Sequence, residues 1–379
     1  MDFFYLDNHT TTRPFPEVLE KFFRFSKEYW ASLSSLHFLG QQQLYPLQKS
    51  VKSLFEELGA RDEDEMLFTS SGEEAVYQVL LTAYFHRARE NGKTLFLIAE
   101  TEEMKFFSMC KQLEALGCLF KTLSVNSKGQ ITPEALEAAI TPRTALLSLS
   151  WASGLTGVLH PIADLVEVCK KKGVLFHLDA SYVLGKSFFR FQDLGVDFLT
   201  LDGSVMHAPK ETGLTLSRSE LPAAPLIPGK TGESISSVAA FARSVEMIQE
   251  KFEFYCMEMA RLRDRFELGI CNCLPESKIL FKGTDRLPTC SVIAFPPVFS
   301  ESLLFLLNTK GVYASCGGGK FQLLSHVLKA SGIEENLVQS SLSFCFSYEI
   351  TEEEIDRLVA IIEKCVKQLK ECAGELFNA

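Results

Sequence analysis

Between residues 66 and 217 the sequence alternates short apolar runs with stretches of helical spacing, and this alternation leaves few folds open. The apolar runs fall at Met66–Thr69, Thr94–Ala99, Leu119–Leu123, Ala145–Ser150, Val174–Leu178, Phe198–Leu201 and Leu214–Ser217. Helical patterns lie between them at Glu73–Arg89, Met104–Leu116, Pro133–Ile140 and Ile162–Lys172. Short strands that are apolar on both faces and joined by crossover helices predict an open α/β sheet, mainly parallel and flanked by helices. Ligands on such sheets bind beyond the carboxyl ends of the strands. The loops that begin at Ser70, Glu100, Trp151, Asp179 and Asp202 are therefore where chemistry is expected.

After Pro228 the pattern changes. A long helical stretch over Ser234–Glu267 leads to a strand at Thr289–Phe295, a helix at Glu301–Asn308 and a strand at Ser341–Phe346. A last helix opens on Thr351-Glu352-Glu353-Glu354, a capping box in which the Thr hydroxyl and the Glu carboxylate each accept from an otherwise free N–H. This predicts a smaller α+β domain behind the α/β sheet.

Composition narrows the function. A net charge of −10 disfavours nucleic acid and anionic membrane as partners. The uncharged stretch from Thr144 to Ala163 is long enough to span a bilayer, but serines, glycines and Pro161 break it, which predicts a buried strand and a loop. The N-terminus lacks the basic and apolar segments of a secretory signal, and eleven cysteines are scattered through apolar segments. Both predict a reduced, cytoplasmic protein. Cys271 and Cys273 have no further ligands at metal-site spacing and predict ordinary thiols.

The candidate loops have a recognisable frame. Tyr5-Leu6-Asp7 with Thr10-Thr11-Thr12, Ser34-Ser35-Leu36-His37, Phe68-Thr69-Ser70, Leu178-Asp179-Ala180, Val196-Asp197, Gly311-Val312-Tyr313-Ala314-Ser315 and Ser340-Ser341-Leu342 follow in order. In this series the chain resembles the NifS-like cysteine desulfurases of the class-V aminotransferase group, which use pyridoxal phosphate (PLP). The resemblance implies a fold-type-I PLP-transferase architecture with a seven-stranded sheet. It also implies a segment 1–15 packed on the small domain, a large domain over 16–250, a small domain over 251–379, and a dimer.

The departures from the family pattern bear on activity. A PLP enzyme needs a lysine amine, which the family places at the end of a Ser-x-His-Lys run; here that position is Val205, its neighbour is Ser204, and the phosphate-side serine is Asp202. The family's mobile cysteine corresponds by register to Lys320, with Cys316 four residues earlier in Ser315-Cys316-Gly317-Gly318-Gly319-Lys320, a run expected to be flexible. In the phosphate cradle, Gly72 is kept but Glu73 replaces a threonine, and Glu233 replaces the threonine that crosses the dimer. A carboxylate roughly 4 Å from a phosphate would cost several kcal/mol at an effective dielectric near 20. A plain helix N-terminal acid is the alternative for Glu73.

Around the ring, Glu103 replaces the stacking histidine, Gly154 an asparagine, Tyr182 a glutamine and Ser343 the substrate-binding arginine. Asp179, the family's partner for the ring nitrogen, survives. The resemblance with these departures implies a vestigial pocket of Asp179, Gly72, Glu73, Gly154, Tyr182, Asp202 and Ser204. PLP would not attach covalently there and could be absent. No residue is a convincing catalytic group. The chain would instead act by binding, as a homodimer, as a heterodimer with an active paralogue, or on an iron–sulfur scaffold or sulfur-acceptor protein. The alternative is an active desulfurase or aminotransferase with a relocated lysine, Lys210 or Lys320, and Cys316 as sulfur carrier.

Overall fold

The computed structural model describes residues 3–226 and 234–378, with side chains to Cys372. Lys230 to Glu233, including the replaced threonine, lie outside the described residues. The chain opens with β1 (Phe4–Tyr5) and helices α1 (Pro16–Glu28), α2 (Phe38–Gln41) and α3 (Leu44–Leu58). The strands β2 (Glu65–Thr69), β3 (Leu95–Ala99), β4 (Leu119–Leu123), β5 (Thr144–Ser150), β6 (Leu175–Asp179), β7 (Phe198–Asp202) and β8 (Gly213–Ser217) follow. Five α-helices intervene: α4 (Gly72–Ala83), α5 (Met104–Glu114), α6 (Pro133–Ala139), α7 (Ile162–Lys172) and the single-turn α8 (Phe191–Leu194).

The seven strands form one sheet in the order β2-β8-β7-β6-β5-β3-β4. All neighbours are parallel except β8, which runs antiparallel between β2 and β7. The sheet is mainly parallel, as expected, and β8 is its one reversed strand. An apolar run buried on both faces carries no record of its direction.

Local chemistry fixes the element ends. Thr132 caps α6 by accepting from the Ala135 N–H, and Pro133 occupies the first helical position, where no N–H is needed. The helix α7 ends at Gly173 in the left-handed region (φ 63°), with the Val174 N–H returning to the Cys169 carbonyl. Every residue of β5 is buried, and the hydroxyl of Ser148 is satisfied by Nδ1 of His177 at 2.7 Å. Nε2 of His177 meets the Thr200 hydroxyl at 2.9 Å, and burial pushes the imidazole down to about 3, so it is a neutral sheet-spanning link.

Two predicted helices are corrected. The segment Glu73–Arg89 is α-helical only to Ala83 and continues as a π-helix over Tyr84–Arg89. The stretch Ser234–Glu267 is two helices, Ile235–Glu250 and Phe252–Cys273, broken at Lys251. The first packs on α1 and α3, and the second serves the small domain. Lys251 at the break lies 5.6 Å from the Phe15 ring and 5.5 Å from that of Tyr348.

The small domain holds an antiparallel sheet of β9 (Lys278–Leu280), β10 (Cys290–Ala294) and β12 (Ser341–Cys345), with β10 central. The remaining strand, β11 (Val312–Tyr313), pairs in parallel with β1, and Asp7 bridges to Cys345. The N-terminal segment thus pairs with β11 and reaches the end of β12. It also reaches the large domain: the Ser204 carbonyl accepts from the Thr12 N–H and from the hydroxyls of Thr11 and Thr12. The capping box is present as predicted, with Glu354 accepting from Thr351 N–H at 2.9 Å and Thr351 Oγ1 accepting from Glu354 N–H at 3.3 Å. Among the described residues no helix is long and apolar enough to cross a membrane.

Candidate active site

The carboxyl ends of β6 and β7 deliver Asp179 and Asp202, β5 delivers Ser150, and the loop after β3 delivers Glu102 and Glu103. The side chain that organises them was not singled out in the sequence. Lys105, in the first turn of α5, is 4% exposed and extends into the site, with Nζ 2.7 Å from Asp179 Oδ2 and 3.4 Å from Glu103 Oε2. The other oxygen of Asp179 accepts from the Ser181 N–H at 3.0 Å and from the Ser181 hydroxyl.

Burial alone would push the Asp179 carboxyl up, but the Lys105 charge and the hydrogen bonds from Lys105 and Ser181 hold it below the usual range. Burial would likewise lower Lys105, yet Asp179, Glu103 and Asp202 keep its ammonium well above the ordinary lysine value. Both partners are charged, and a protonated amine is no nucleophile. A sequence signal existed: a cation in a helix's first turn opposes the macrodipole and needs a carboxylate nearby.

A second pair closes the other end. Asp202 lies against Gly72 at the start of α4, where a Cβ on Gly72 would stand 2.4 Å from Cβ of Asp202 and 3.1 Å from its Oδ2. Lys320 Nζ is 3.8 Å from that same Oδ2 and sits over the rings of Tyr182 (5.7 Å) and Phe321 (5.4 Å). Between the two ion pairs those rings fill the space over Gly154, where a Cβ would meet Phe321 at 2.6 Å and Tyr182 at 2.8 Å. Burial first, and Glu103 second, raise the Tyr182 phenol well above its normal range.

Other predicted residues lie elsewhere or do other work. Val205 is buried and lines a separate cavity of about 40 Å³ with Leu184, Met206, Ile248 and Cys345. Ser204 N–H donates to Asp202 Oδ1. Glu73 is a first-turn acid of α4, and the capping is done by Ser71, whose Oγ accepts from Glu74 N–H. Ser343 Oγ donates to the Leu155 carbonyl in the small-domain sheet. Lys210 is exposed and lines a surface groove with Arg13 and Glu349.

The loop of Cys316 is a glycine turn that packs beside the large domain. Its three glycines take positive φ (79°, 92° and 65°) in a turn that is bonded to the large domain. The Lys320 carbonyl accepts from Met104 N–H, and the Gln322 amide donates to the carbonyls of Glu100 and Glu102. Half-buried Cys316 has its thiol raised by that burial, the reverse of an activated nucleophile.

The comparisons with known proteins agree with this architecture. The family model described as aminotransferase class-V matches residues 4–254, and the chain belongs to that family. Within it, the chain is similar to the cysteine desulfurase of Nostoc sp., with 31% identity covering 98% of this chain and 94% of the relative. It is 32% identical to cysteine desulfurase NifS of Azotobacter vinelandii, over 97% and 93%. A solved NifS-like protein superposes with a TM-score of 0.88 at 27% identity, covering 97% of this chain and all of that one.

The family depends on PLP, but the residues present do not fit it. The ring-nitrogen partner Asp179 is taken by Lys105, rings occupy the middle, and a carboxylate stands at the helix start that would face a phosphate. A small cavity beside the site, lined by Glu102, Glu103, Gly154, His160, Phe321 and Gln322, measures about 10 Å³. That is the room of about one water.

Glu102 makes the site pH-dependent. Burial pushes its carboxyl up to about 7, against the hydrogen bonds it accepts from Ser150 N–H (2.8 Å) and the Ser150 hydroxyl (2.7 Å). A folded value above the unfolded one of 4.5 means that this stabilisation is complete below the unfolded value and is lost as pH rises to about 7. The difference in stability between wild type and Glu102→Gln is expected to fall by roughly 2–4 kcal/mol from pH 4.5 to 8, read from urea midpoints. Parallel pH profiles would contradict this.

Proposed function

We propose that this chain is a non-catalytic member of the cysteine desulfurase-like class-V family that acts through protein partners. The observation that carries the reading is the buried Lys105 ammonium 2.7 Å from Asp179. It sits in a site whose lysine position holds valine, with half-buried Cys316 as the nearest thiol by register. PLP is neither covalently attached nor required, and the conserved scaffold is the working part.

Exposed apolar side chains support the partner role. Trp30, Leu36, Phe38 and Tyr45 are 72%, 92%, 77% and 76% exposed within one N-terminal stretch. Exposed apolar side chains this dense in one segment support its use as a protein interface. Its occupant is a second class-V subunit, either another copy of this chain or an active paralogue, through which it would bear on sulfur supply to a scaffold or acceptor protein. Eleven free thiols fit a reducing, cytoplasmic setting.

Purified protein incubated with PLP is expected to gain no visible band, no borohydride-trapped lysine and no sulfide release from cysteine. Light scattering is expected to give a two-copy mass, alone or with an active desulfurase, that Phe38→Glu returns to one copy. Stoichiometric trapping with turnover would overturn the first part. A one-copy mass with no retention by a desulfurase or scaffold would overturn the second.

One observation favours the active alternative: of its two candidate lysines, Lys320 lies at the site, 3.8 Å from Asp202. Trapping at Lys320 together with sulfide release would establish that alternative.

A further inference from the structure

We infer that Lys105, with Phe321 and Asp202, is a tethered replacement for the cofactor, so that this chain carries inside its own sequence the groups that a bound ligand would otherwise supply. The inference rests on the reading that PLP is not held, and it goes further by saying what took its place.

The match is made part by part. A carboxylate at the end of a buried strand needs a cation, and Asp179 has the Lys105 ammonium at 2.7 Å, with Glu103 closing the other side at 3.4 Å. An aromatic layer is needed to fill the middle, and Phe321 with Tyr182 lies close enough to Gly154 that no side chain fits there. The start of α4, whose dipole favours an anion, has the Asp202 carboxylate against Gly72, neutralised in turn by Lys320. Cation, ring and anion are all buried and are supplied by three chain segments. Removing any ordinary surface ion pair would have little consequence. Removing Lys105 would leave Asp179 buried without a counter-charge, which is among the more damaging changes a core can suffer.

The glycine loop is bonded to the helix that carries Lys105. The Lys320 carbonyl accepts from Met104 N–H, the residue before Lys105, so the segment that brings Phe321 and Lys320 is bonded to the turn that brings the cation. The two halves of the replacement are installed together.

The test is chemical rescue. Lys105→Ala deletes the atoms that propylammonium restores, so the variant is expected to lose at least tenfold in its folding equilibrium constant. It should regain a measurable part in propylammonium chloride, but not in propanol or in sodium chloride at equal concentration. Wild type should respond alike to all three and should show no change in melting temperature with PLP. A variant as stable as wild type, or one that responds equally to the three additives, overturns the inference and leaves the proposed function untouched.

A PLP-dependent rise in wild-type melting, with a visible band, overturns the proposed function instead. Should Lys105→Ala fail to fold, amine reactivity in the wild type decides. Lys105 is expected to be acetylated at least tenfold more slowly than exposed Lys52 or Lys210 and to lose that protection in urea; labelling at the surface rate overturns the inference.

Discussion

Asp179→Ala is expected to cost about 3–5 kcal/mol of folding stability. The substitution leaves the Lys105 ammonium, 4% exposed, facing Glu103 at 3.4 Å without its closest carboxylate. It also frees the N–H and hydroxyl of Ser181, which donate to Asp179 Oδ1. Urea unfolding at neutral pH measures the loss directly, and Asp179→Leu/Lys105→Met, which removes both charges, should recover most of it. A loss below about 1 kcal/mol for Asp179→Ala would mean that the pair is solvated and the site open.

The pH dependence carries the same message. Asp179 is depressed and Lys105 elevated in the fold. The carboxylate's contribution is therefore complete above its unfolded value of 3.8 and is lost in acid. That of the ammonium is complete below 10.5 and is lost in strong alkali. Between those limits the pair is expected to contribute a flat plateau.

Arg286→Met is the second large effect, again about 3–5 kcal/mol, and it falls on the small domain. Arg286 and Glu267 are 5% and 2% exposed and form a two-pronged pair at 2.6 and 2.9 Å; Glu267 Oε1 also accepts from the Ser291 hydroxyl at 2.8 Å. The fork fixes the helix Phe252–Cys273 to β10 and to the turn where Arg286 bridges Val158. Arg286→Lys keeps the charge but not the fork and should fall between wild type and Arg286→Met. Thermal unfolding of the three proteins provides the comparison. Equal melting temperatures for all three would show that Glu267 finds other compensation.

Much of the fold was legible because it is written in local patterns. The strand β4 and the helix α7 have the bounds that their apolar runs and end signals predict, and the Thr351–Glu354 cap forms both of its bonds. The direction of β8 was not legible, because a run buried on both faces looks the same either way along the sheet. The break at Lys251 was hidden because helical spacing continues through it and only tertiary packing turns the chain.

The site divides the same way. Val205 and Asp179 could be placed by register within the resemblance, but the role of Lys105 depends on side chains 74 residues apart meeting across the sheet. Lys320 was assigned as a lost nucleophile from its position alone. Its pairing with Asp202, and the turn that brings it there, exist only in three dimensions.

The two-residue ladder between β1 and β11, with Asp7 against Cys345, has a consequence for how the molecule is made. Phe4 and Tyr5 are synthesised long before their strand partners Val312 and Tyr313. Loop closure over such a separation is slow, and N-terminal sections usually fold as they emerge. During synthesis, then, the large sheet can mature while its leading peptide waits unpaired for most of a translation cycle. In that interval Phe4 and Tyr5 have no strand to pair with.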